Sequence, residues 1–552
     1  MRATLPNPDN LRILRQIELS YRIDDVRKAR ESWAVATDDT CAAILESAVQ
    51  FAREILEPLN QSMDITGCAL VDGRVQTAPG HREAWAQTIA AGWPTLEAPE
   101  QFGGQGLPAV LAFAVQEQFD RACPAFGMLP VPQRSAFRLI SAFGDERIKS
   151  EWLARLATGE WGATICVSEV GAGSDLPRIG TKAEQSEDGT WRITGEKCWI
   201  SFGDHDLTEQ IGHVVLAQTT DAEGRRRPSL FLVPSRLADT SRNSIHVRRI
   251  EHKLGLHGSP TCALGFEAAT GYLLGEAGRG LPQMFVMIAN MRLAVGAMGL
   301  GIAAGCGSLA LAYARDRKQG GRPSPLPIDH HADVQLQLLD ILAPVELLRG
   351  LLFAVANCND LAVTGDKTAQ ALAGWLLPII KTSGGEIAFE AASGAIQVLG
   401  GAGYTAEWPI EQALRDARVL TIFEGTTGIQ SLDLVHRRLL ADDTGYVAFL
   451  REARALGEPR LTVCINELEA AAQWLREHPS AVDAGATAFL HLAANAALSW
   501  IAAGYVDAGI ADQTLGIAGE HWLDTAPARA VFLHRAISTG SDRAKRFNSI
   551  LA

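Results

Sequence analysis

The stretch Thr164-Ile165-Cys166-Val167-Ser168-Glu169-Val170-Gly171-Ala172-Gly173-Ser174-Asp175 marks the point where the helical pattern of the chain stops. Before it, apolar residues recur at helical spacing, for example in 42–56 and 110–119. After it, short β-type runs follow one another, separated by Gly, Asp, Asn and Pro, until about Gly280. This change of period predicts a small β-barrel or sandwich in the middle of the chain.

Helical periodicity returns after the β segment. Long apolar stretches cover 284–315, 334–363 and 368–399, and an Ala-rich segment ends the chain. The predicted fold class is therefore α+β, mainly α. The domains expected are an N-terminal helical domain (1–160), a middle β-barrel-like domain (161–280), a C-terminal four-helix bundle (281–445) and an added helical domain (446–552).

Charge and cysteine content exclude several classes of protein. The 552 residues contain 50 Lys+Arg against 63 Asp+Glu, and Arg225-Arg226-Arg227 is the longest basic run, so a nucleic-acid partner is not expected. Nine cysteines, an odd number without a CxxC pair, do not form a disulfide framework and favour a reducing cytoplasm. Residues 1–20 are charged and broken by prolines, unlike a signal peptide. No metal site is expected.

The longest uncharged run, 293–314, has the length of a membrane span. It is rich in Gly and Ala and contains Ser308 and Tyr313, which favours a helix buried inside a bundle. We therefore expect no membrane span. The spacing of Gly301 and Gly305 then indicates close helix packing.

One carboxylate stands out in Ile422-Phe423-Glu424-Gly425-Thr426-Thr427-Gly428. Glu424 follows an apolar run and precedes a flexible turn, a setting in which burial raises the pKa of a carboxyl and makes it a base near neutral pH. The alternative is a surface glutamate in a loop. Two rival carboxylates, Glu407 and Glu411, lie beside Trp408-Pro409 and in a charged helix, which indicates structural roles.

Several separate motifs fit one family in order and spacing. They are Gly92-Trp93-Pro94, Phe102-Gly103-Gly104-Gln105-Gly106, Val167-Ser168-Glu169, Gly171-Ala172-Gly173-Ser174-Asp175, Thr194-Gly195-Glu196-Lys197-Cys198-Trp199-Ile200-Ser201, Tyr313-Ala314-Arg315-Asp316-Arg317, Gln397-Val398-Leu399-Gly400-Gly401-Ala402-Gly403-Tyr404, Arg415-Asp416-Ala417-Arg418 and Phe423-Glu424-Gly425-Thr426. Over roughly 85–440 the chain resembles the flavin-dependent acyl-CoA dehydrogenases. His205-Asp206-Leu207-Thr208, the run 250–262 and the run 426–434 resemble the larger branch, which includes long-chain and 3-methylmercaptopropionyl-CoA dehydrogenases.

The resemblance implies a reaction and a cofactor. Glu424 matches the base that removes a Cα proton from an acyl thioester, while the Cβ hydride passes to N5 of FAD. The backbone N–H of the catalytic glutamate donates to the thioester carbonyl in the family, and Gly425 lets the backbone come close. Positions that match substrate contacts are Gly173, Ser174, Arg292 and Gly425. Positions that match FAD contacts are Val167, Ser168, Trp199, Ser201, Arg317, Gln397, Gly400, Gly401 and Thr426.

Trp199 and Ser201 are two residues apart, so on a regular strand they share one face. The alternative for Trp199 is a core tryptophan. Arg317 matches an arginine that reaches the FAD of the neighbouring subunit, which implies at least a homodimer. The resemblance also implies an electron-transfer flavoprotein as the electron acceptor.

Two other functions share this fold class. One is an oxidase or desaturase acting on a specialised or carrier-bound substrate, and the other is a non-catalytic scaffold. Retention of Glu424, Ser201, Arg317 and Gly401 argues against the scaffold, which would need none of these groups. Val170 stands where the family usually has proline and Phe423 where it usually has tyrosine, so the acyl group is left open.

Overall fold

The computed structural model describes residues 3–34, 38–507 and 513–551. It is 64% helical with a central mixed sheet, which confirms the predicted α+β, mainly α class. The chain forms two compact units. The helical unit consists of Met1–Val49, Pro108–Arg121 and Arg292–Ala552, and the barrel unit consists of Gln50–Leu107 and Ala122–Met291.

The secondary structure of the described ranges is as follows. The α-helices are α1 (Asn10–Glu18), α2 (Ile23–Ala29), α3 (Glu31–Ala34), α4 (Asp38–Phe51), α5 (Glu57–Thr66), α6 (His81–Ala90), α7 (Ala109–Ala122), α8 (Pro124–Gly127), α9 (Pro130–Phe143), α10 (Glu146–Thr158), α11 (Gly280–Asp316), α12 (Ala332–Val363), α13 (Lys367–Leu399), α14 (Ile410–Ala417), α15 (Thr427–Leu432), α16 (Thr444–Ala455), α17 (Pro459–Glu477), α18 (Val482–Asp507), α19 (Gln513–Ser538) and α20 (Gly540–Leu551). The strands are β1 (Ala69–Val71), β2 (Arg74–Gln76), β3 (Gly162–Cys166), β4 (Lys182–Gln185), β5 (Trp191–Ser201), β6 (Ile211–Thr220), β7 (Arg226–Pro234), β8 (Ile245–Ile250), β9 (Thr261–Leu274), β10 (Lys318–Gln319) and β11 (Leu326–Pro327).

The large sheet of the barrel unit closes on itself. Going round the ring, β6 pairs with β7, β7 with β9, β9 with β5, β5 with β4, and β4 with β6. Strand β3 adds to β6 in parallel, and β8 adds to β9. Ile193, Val215, Phe231, Leu264 and Phe266 fill a dry core of this sheet. Closure of the ring gives the strand ends fixed positions.

The N-terminal segment, which the sequence analysis expected to be helical, contains a short β-hairpin. Strands β1 and β2 form an antiparallel hairpin, with Val71 opposite Arg74. Asp72 and Gly73 both have positive φ, at 49° and 74°, as a two-residue hairpin turn of mirror-image type requires. The prediction missed this hairpin because it followed the helical period and overlooked the Asp-Gly pair between Val71 and Arg74, which is a turn signal.

Helices α11 and α13 of the helical unit meet backbone to backbone through glycines. A Cβ added to Gly299 would lie 2.1 Å from the carbonyl oxygen of Gly384, and one added to Gly384 would lie 2.7 Å from Cα of Gly296. The next residue, Gly385, faces Leu420, whose carbonyl carbon would lie 3.0 Å from an added Cβ. The glycines of α13 therefore admit α11 and the segment that leads to Glu424 at close range.

Helix α11 is the buried helix that the sequence predicted. Within the described ranges, α11 and the stretch Pro479–Asp507 are long and apolar enough to cross a membrane, and 89% and 78% of their most apolar windows are buried in the protein. A Cβ added to Gly301 would lie 2.8 Å from the backbone nitrogen of Arg121 on α7, which confirms close packing at this glycine. All nine cysteines are free, and all except Cys68 are buried.

We expect Gly299→Ala to lower the free energy of unfolding by about 1–3 kcal/mol, because its methyl group would have to push apart two helix backbones. The matched control is Gly504→Ala in α18, where an added Cβ meets no atom within 4 Å. Removing that glycine should be neutral or stabilising, since alanine is the better helix former. Urea unfolding measures both, and equal stability of the two variants would contradict the close contact.

Candidate active site

Glu424 lies in a strained turn between a 3₁₀ segment, Arg418–Thr421, and α15. Its φ is +55°, in the left-handed region that residues other than glycine rarely occupy, and φ of Gly425 is +97°. A backbone of this kind costs of order 1–3 kcal/mol and persists only where the surroundings impose it. Contacts around the turn must therefore stabilise the left-handed conformation of Glu424.

Two fully buried side chains hold the turn from within the helical unit. Nζ of Lys381 donates to the carbonyl of Gly425 at 2.6 Å, and Nε2 of Gln430 donates to the carbonyl of Glu424 at 2.8 Å. A Cβ on Gly425 would lie 2.6 Å from Nε2 of Gln430. Glycine is thus required at 425 both by its φ and by the space that Gln430 occupies.

The electrostatic setting of Glu424 is that of a base. Burial raises the pKa of its carboxyl above the ordinary value, and the positive charges of Arg292 and Lys381 offset part of that rise. Burial also lowers the pKa of the Lys381 ammonium to about 8, although Glu424 favours its charged form. A carboxylate with a raised pKa binds a proton more tightly, so it removes one more readily once it is ionised.

Arg292, which matches a substrate contact in the family, is buried within a helix. Helix α11 begins at Gly280, so Arg292 lies in its interior, with 7% of its surface exposed. It donates through Nη1 to Oδ2 of Asp433 at 3.0 Å, and Arg438 donates to the same oxygen at 3.1 Å. Within the described part of the chain, Nε of Arg292 has no hydrogen-bond partner.

The rival carboxylates have other roles. Glu407 is exposed, and Glu411 forms an ion pair with Arg415 on α14 at 2.9 Å. Neither lies in a buried turn like the one that holds Glu424. Thr426, expected to contact FAD, caps α15, because its hydroxyl accepts a hydrogen bond from the backbone N–H of Ile429 at 3.4 Å.

In the barrel unit, Val167 and Ser168 follow directly after β3, and a buried ion pair fixes their backbone. Nζ of Lys197 donates to the carbonyl of Val167 at 2.9 Å and to Glu169 at 2.8 Å. The backbone N–H of Cys198 donates to the carbonyl of Ser168. Burial lowers the pKa of Lys197; burial would raise the pKa of Glu169, but its hydrogen bond from Lys197 brings it below the ordinary value.

Trp199 is not a core tryptophan. It is 61% exposed, and its φ is +64°. The pairing of β5 with β9 shifts register between Lys197 and Ile200, as at a β-bulge, so the alternation that would place Trp199 and Ser201 on one face is interrupted. The structure instead presents an indole at the surface on a locally strained backbone, two residues from a half-buried hydroxyl.

The remaining predicted contacts lie in exposed turns and helix ends. Gly173 and Ser174 are exposed in the barrel unit, and a Cβ on Gly173 would meet no atom within 4 Å. Four predicted contact residues of the helical unit are also exposed: Arg317, Gln397, Gly400 and Gly401. A Cβ atom added to either glycine would meet no atom within 4 Å. The backbone is therefore open to an approaching group at each of these glycines.

Lys197 and Lys381 are the two site residues that sequence reasoning missed. Lys381 is the single charged residue between Lys367 and Glu386 in a long apolar helix, and Lys197 stands inside a β-type run. Charged residues are almost never fully buried unless they are paired. A lone lysine in an apolar segment could therefore have indicated a buried lysine that needs a partner. The sequence does not show which group accepts its hydrogen bond.

We expect Lys197→Met to reduce FAD retention and stability together, because it frees the Val167 carbonyl and removes the cation that pairs with the half-buried Glu169. The double variant Lys197→Met/Glu169→Gln should recover stability but not FAD retention. Thermal unfolding and the ratio of flavin to protein absorbance measure the two effects, with the exposed Lys182→Met as control. Full FAD retention in the double variant would remove Lys197 from this role.

Three family models match the chain in succession. They are described as acyl-CoA dehydrogenase, N-terminal domain (residues 38–160), middle domain (164–269) and C-terminal domain (278–440). A 3-methylmercaptopropionyl-CoA dehydrogenase of Ruegeria pomeroyi is 38% identical over 509 residues, which are 86% of this chain and 86% of that protein.

Two solved structures share the fold over nearly the whole chain. The Caenorhabditis elegans ACDH-11 in complex with C11-CoA matches with a TM-score of 0.80 at 20% identity, covering 100% of this chain and 96% of that one. An acyl-CoA dehydrogenase of Bacillus anthracis complexed with FAD matches with a TM-score of 0.75 at 21% identity, covering 94% and 90%. The added C-terminal helices are therefore part of a known arrangement.

Proposed function

Because the chain belongs to the acyl-CoA dehydrogenase family of FAD-dependent oxidoreductases, we propose that it oxidises the Cα–Cβ bond of an acyl-CoA thioester with Glu424 as the base. The observation that carries this proposal is the turn at Glu424. A carboxyl whose pKa is raised by burial is held there in a left-handed backbone by two buried donors. A surface glutamate would have neither feature.

The residues expected to hold FAD fit such a group. Trp199 offers an exposed aromatic face, and Ser201 offers a half-buried hydroxyl. At Gly400 and Gly401 the backbone stands open where a side chain would otherwise fill the space. The carbonyls of Val167 and Ser168 are already satisfied, so that backbone is held in place. FAD, when bound, supplies the acceptor for the hydride.

In the reaction we propose, the chain's own residues manage the proton and the developing charge. The Glu424 carboxylate takes the Cα proton. The backbone N–H of Glu424, fixed by the turn, donates to the thioester carbonyl as the charge of the enolate develops, and one such donor contributes about 3–4 kcal/mol in a water-poor site. Arg292 and Lys381 keep Glu424 ionised at a lower pH than burial alone would allow.

The assembly and its surroundings are also part of the proposal. Arg317, Gln397, Gly400 and Gly401 are exposed, as expected of residues that complete the FAD site of a second subunit in a homodimer. We propose an electron-transfer flavoprotein as the electron acceptor. A cytoplasmic location is supported by nine free cysteines, which a reducing compartment keeps as thiols.

We expect the wild-type protein to be yellow and its flavin to bleach under anaerobic conditions when an acyl-CoA is added. Glu424→Gln should keep FAD but lose bleaching by at least about a thousandfold, because no carboxylate remains to take the proton. The panel of acyl-CoAs should span chain lengths and include 3-methylmercaptopropionyl-CoA, the compound in the name of the Ruegeria relative. Glu411→Gln is the matched control, and wild-type bleaching by Glu424→Gln would remove Glu424 as the base.

Sharing of the site between subunits can be tested by complementation. Arg317→Met alone should lose FAD, and Glu424→Gln alone should not react. Co-expressed, they form mixed dimers in which one site combines the intact Glu424 of one subunit with the intact Arg317 of the other. The mixed dimers are isolated through a different affinity tag on each subunit. We expect about half of their flavin sites to bleach. Absence of any recovery would mean that Arg317 serves its own subunit.

A further inference from the structure

We propose that Lys381 is a positioning residue for this reaction: its ammonium group holds the Glu424–Gly425 turn through the carbonyl of Gly425 and provides a positive charge beside the Glu424 carboxylate. This inference rests on the function proposed above and goes beyond it. In the proposed reaction, the carboxylate and the backbone N–H of Glu424 are the groups that contact the substrate. Lys381 acts on the reaction by positioning these two groups, without contacting the substrate.

The first argument is the cost of burying Lys381. Its side chain is fully buried on α13, between Ile380 and Thr382. Removing an ammonium group from water costs several kcal/mol unless it is paired, and Lys381 forms no salt bridge within 4 Å in the described part of the chain. A methionine has nearly the same length and would fill the position without that cost. Stability therefore does not account for a lysine here.

The second argument is where the ammonium group is placed. Nζ lies 2.6 Å from the carbonyl of Gly425, and Gln430 holds the preceding carbonyl. Two donors on consecutive carbonyls fix the Glu424–Gly425 and Gly425–Thr426 peptide planes. The N–H of Glu424 belongs to the plane just before. Without Lys381, the strained φ of +55° at Glu424 has one support fewer and can relax toward an ordinary conformation.

The third argument is the charge balance around the base. The charged groups that act on Glu424 are Arg292 on α11 and Lys381 on α13. Arg292 forms an ion pair with Asp433, and Asp433 also pairs with Arg437 and Arg438. Lys381 interacts with Glu424, Glu386 and Arg292 without a direct ion pair. Its positive charge favours the ionised form of Glu424, and removing it should make Glu424 harder to ionise.

The experiment compares three substitutions at Lys381 in the FAD-loaded enzyme, with Lys367→Met as control. Lys367 lies at the exposed start of the same helix and contacts Gln370. The measurement is the rate of anaerobic flavin bleaching by a fixed acyl-CoA as a function of pH, with thermal unfolding and FAD content recorded for each variant.

We expect Lys381→Met to reduce the maximal rate by roughly tenfold to a hundredfold, since a small displacement of a catalytic group has effects of that size. The acid limb of its pH profile should move to higher pH, because Glu424 has lost a cation that favours its ionised form. Lys381→Gln keeps a donor without the charge, so it should show the same move of the acid limb with a smaller loss of rate. Lys381→Arg keeps the cation and should leave the acid limb near that of the wild type.

Several results would overturn the proposal. If Lys381→Met and Lys381→Gln unfold at lower temperature but keep the wild-type acid limb and rate, Lys381 only supports the fold. If none of the three variants folds while Lys367→Met does, the role belongs to folding, and the proposal fails as well. The proposed function is judged separately, by bleaching in the wild type and its loss in Glu424→Gln.

Discussion

The backbone contact between α11 and α13 is the constraint on which the helical unit depends. Glycines at 296, 299 and 384 let two long apolar helices approach closer than side chains would allow. That approach brings a buried arginine on one helix and a buried lysine on the other to act on a single carboxylate, Glu424. The adjacent Gly385 admits the segment before Glu424 to the same helix. The same few glycines therefore determine both the close packing of the two helices and the charges that surround the base.

Each of the two units uses a fully buried lysine to fix backbone near its predicted site residues. Lys197 donates to the carbonyl of Val167, and Lys381 donates to the carbonyl of Gly425. The two differ in how their charge is balanced: among the residues that the structure describes, Lys197 has the carboxylate of Glu169 as a direct partner, whereas the partner of Lys381 is a neutral carbonyl. A paired lysine can serve as a static support. An unpaired one also projects its field onto a group nearby.

The sequence was most informative where structure depends on local pattern. The long apolar runs predicted α11, α12 and α13 to within four residues at each end, and the apolar run before a Gly-Thr-Thr-Gly turn was enough to single out Glu424 as a candidate base. It was least informative where distant segments decide. Strand β8 is charged along much of its length and β9 contains glycine and alanine, so neither looks like a strand until it pairs with the other. The strain at Glu424, the bulge at Trp199 and the acceptors of both lysines arise from such contacts.

The cysteines carry a practical consequence for chemical labelling. Burial raises the pKa of the Cys166 and Cys306 thiols to about 12, so almost no thiolate is available to react near neutral pH. Cys68 is the one cysteine that is not buried, and burial raises the pKa of its thiol to about 11. A cysteine introduced at an exposed position should consequently react with a maleimide far faster than any native thiol. Fluorophores or spin labels can then be attached at single sites without first rebuilding the native cysteines.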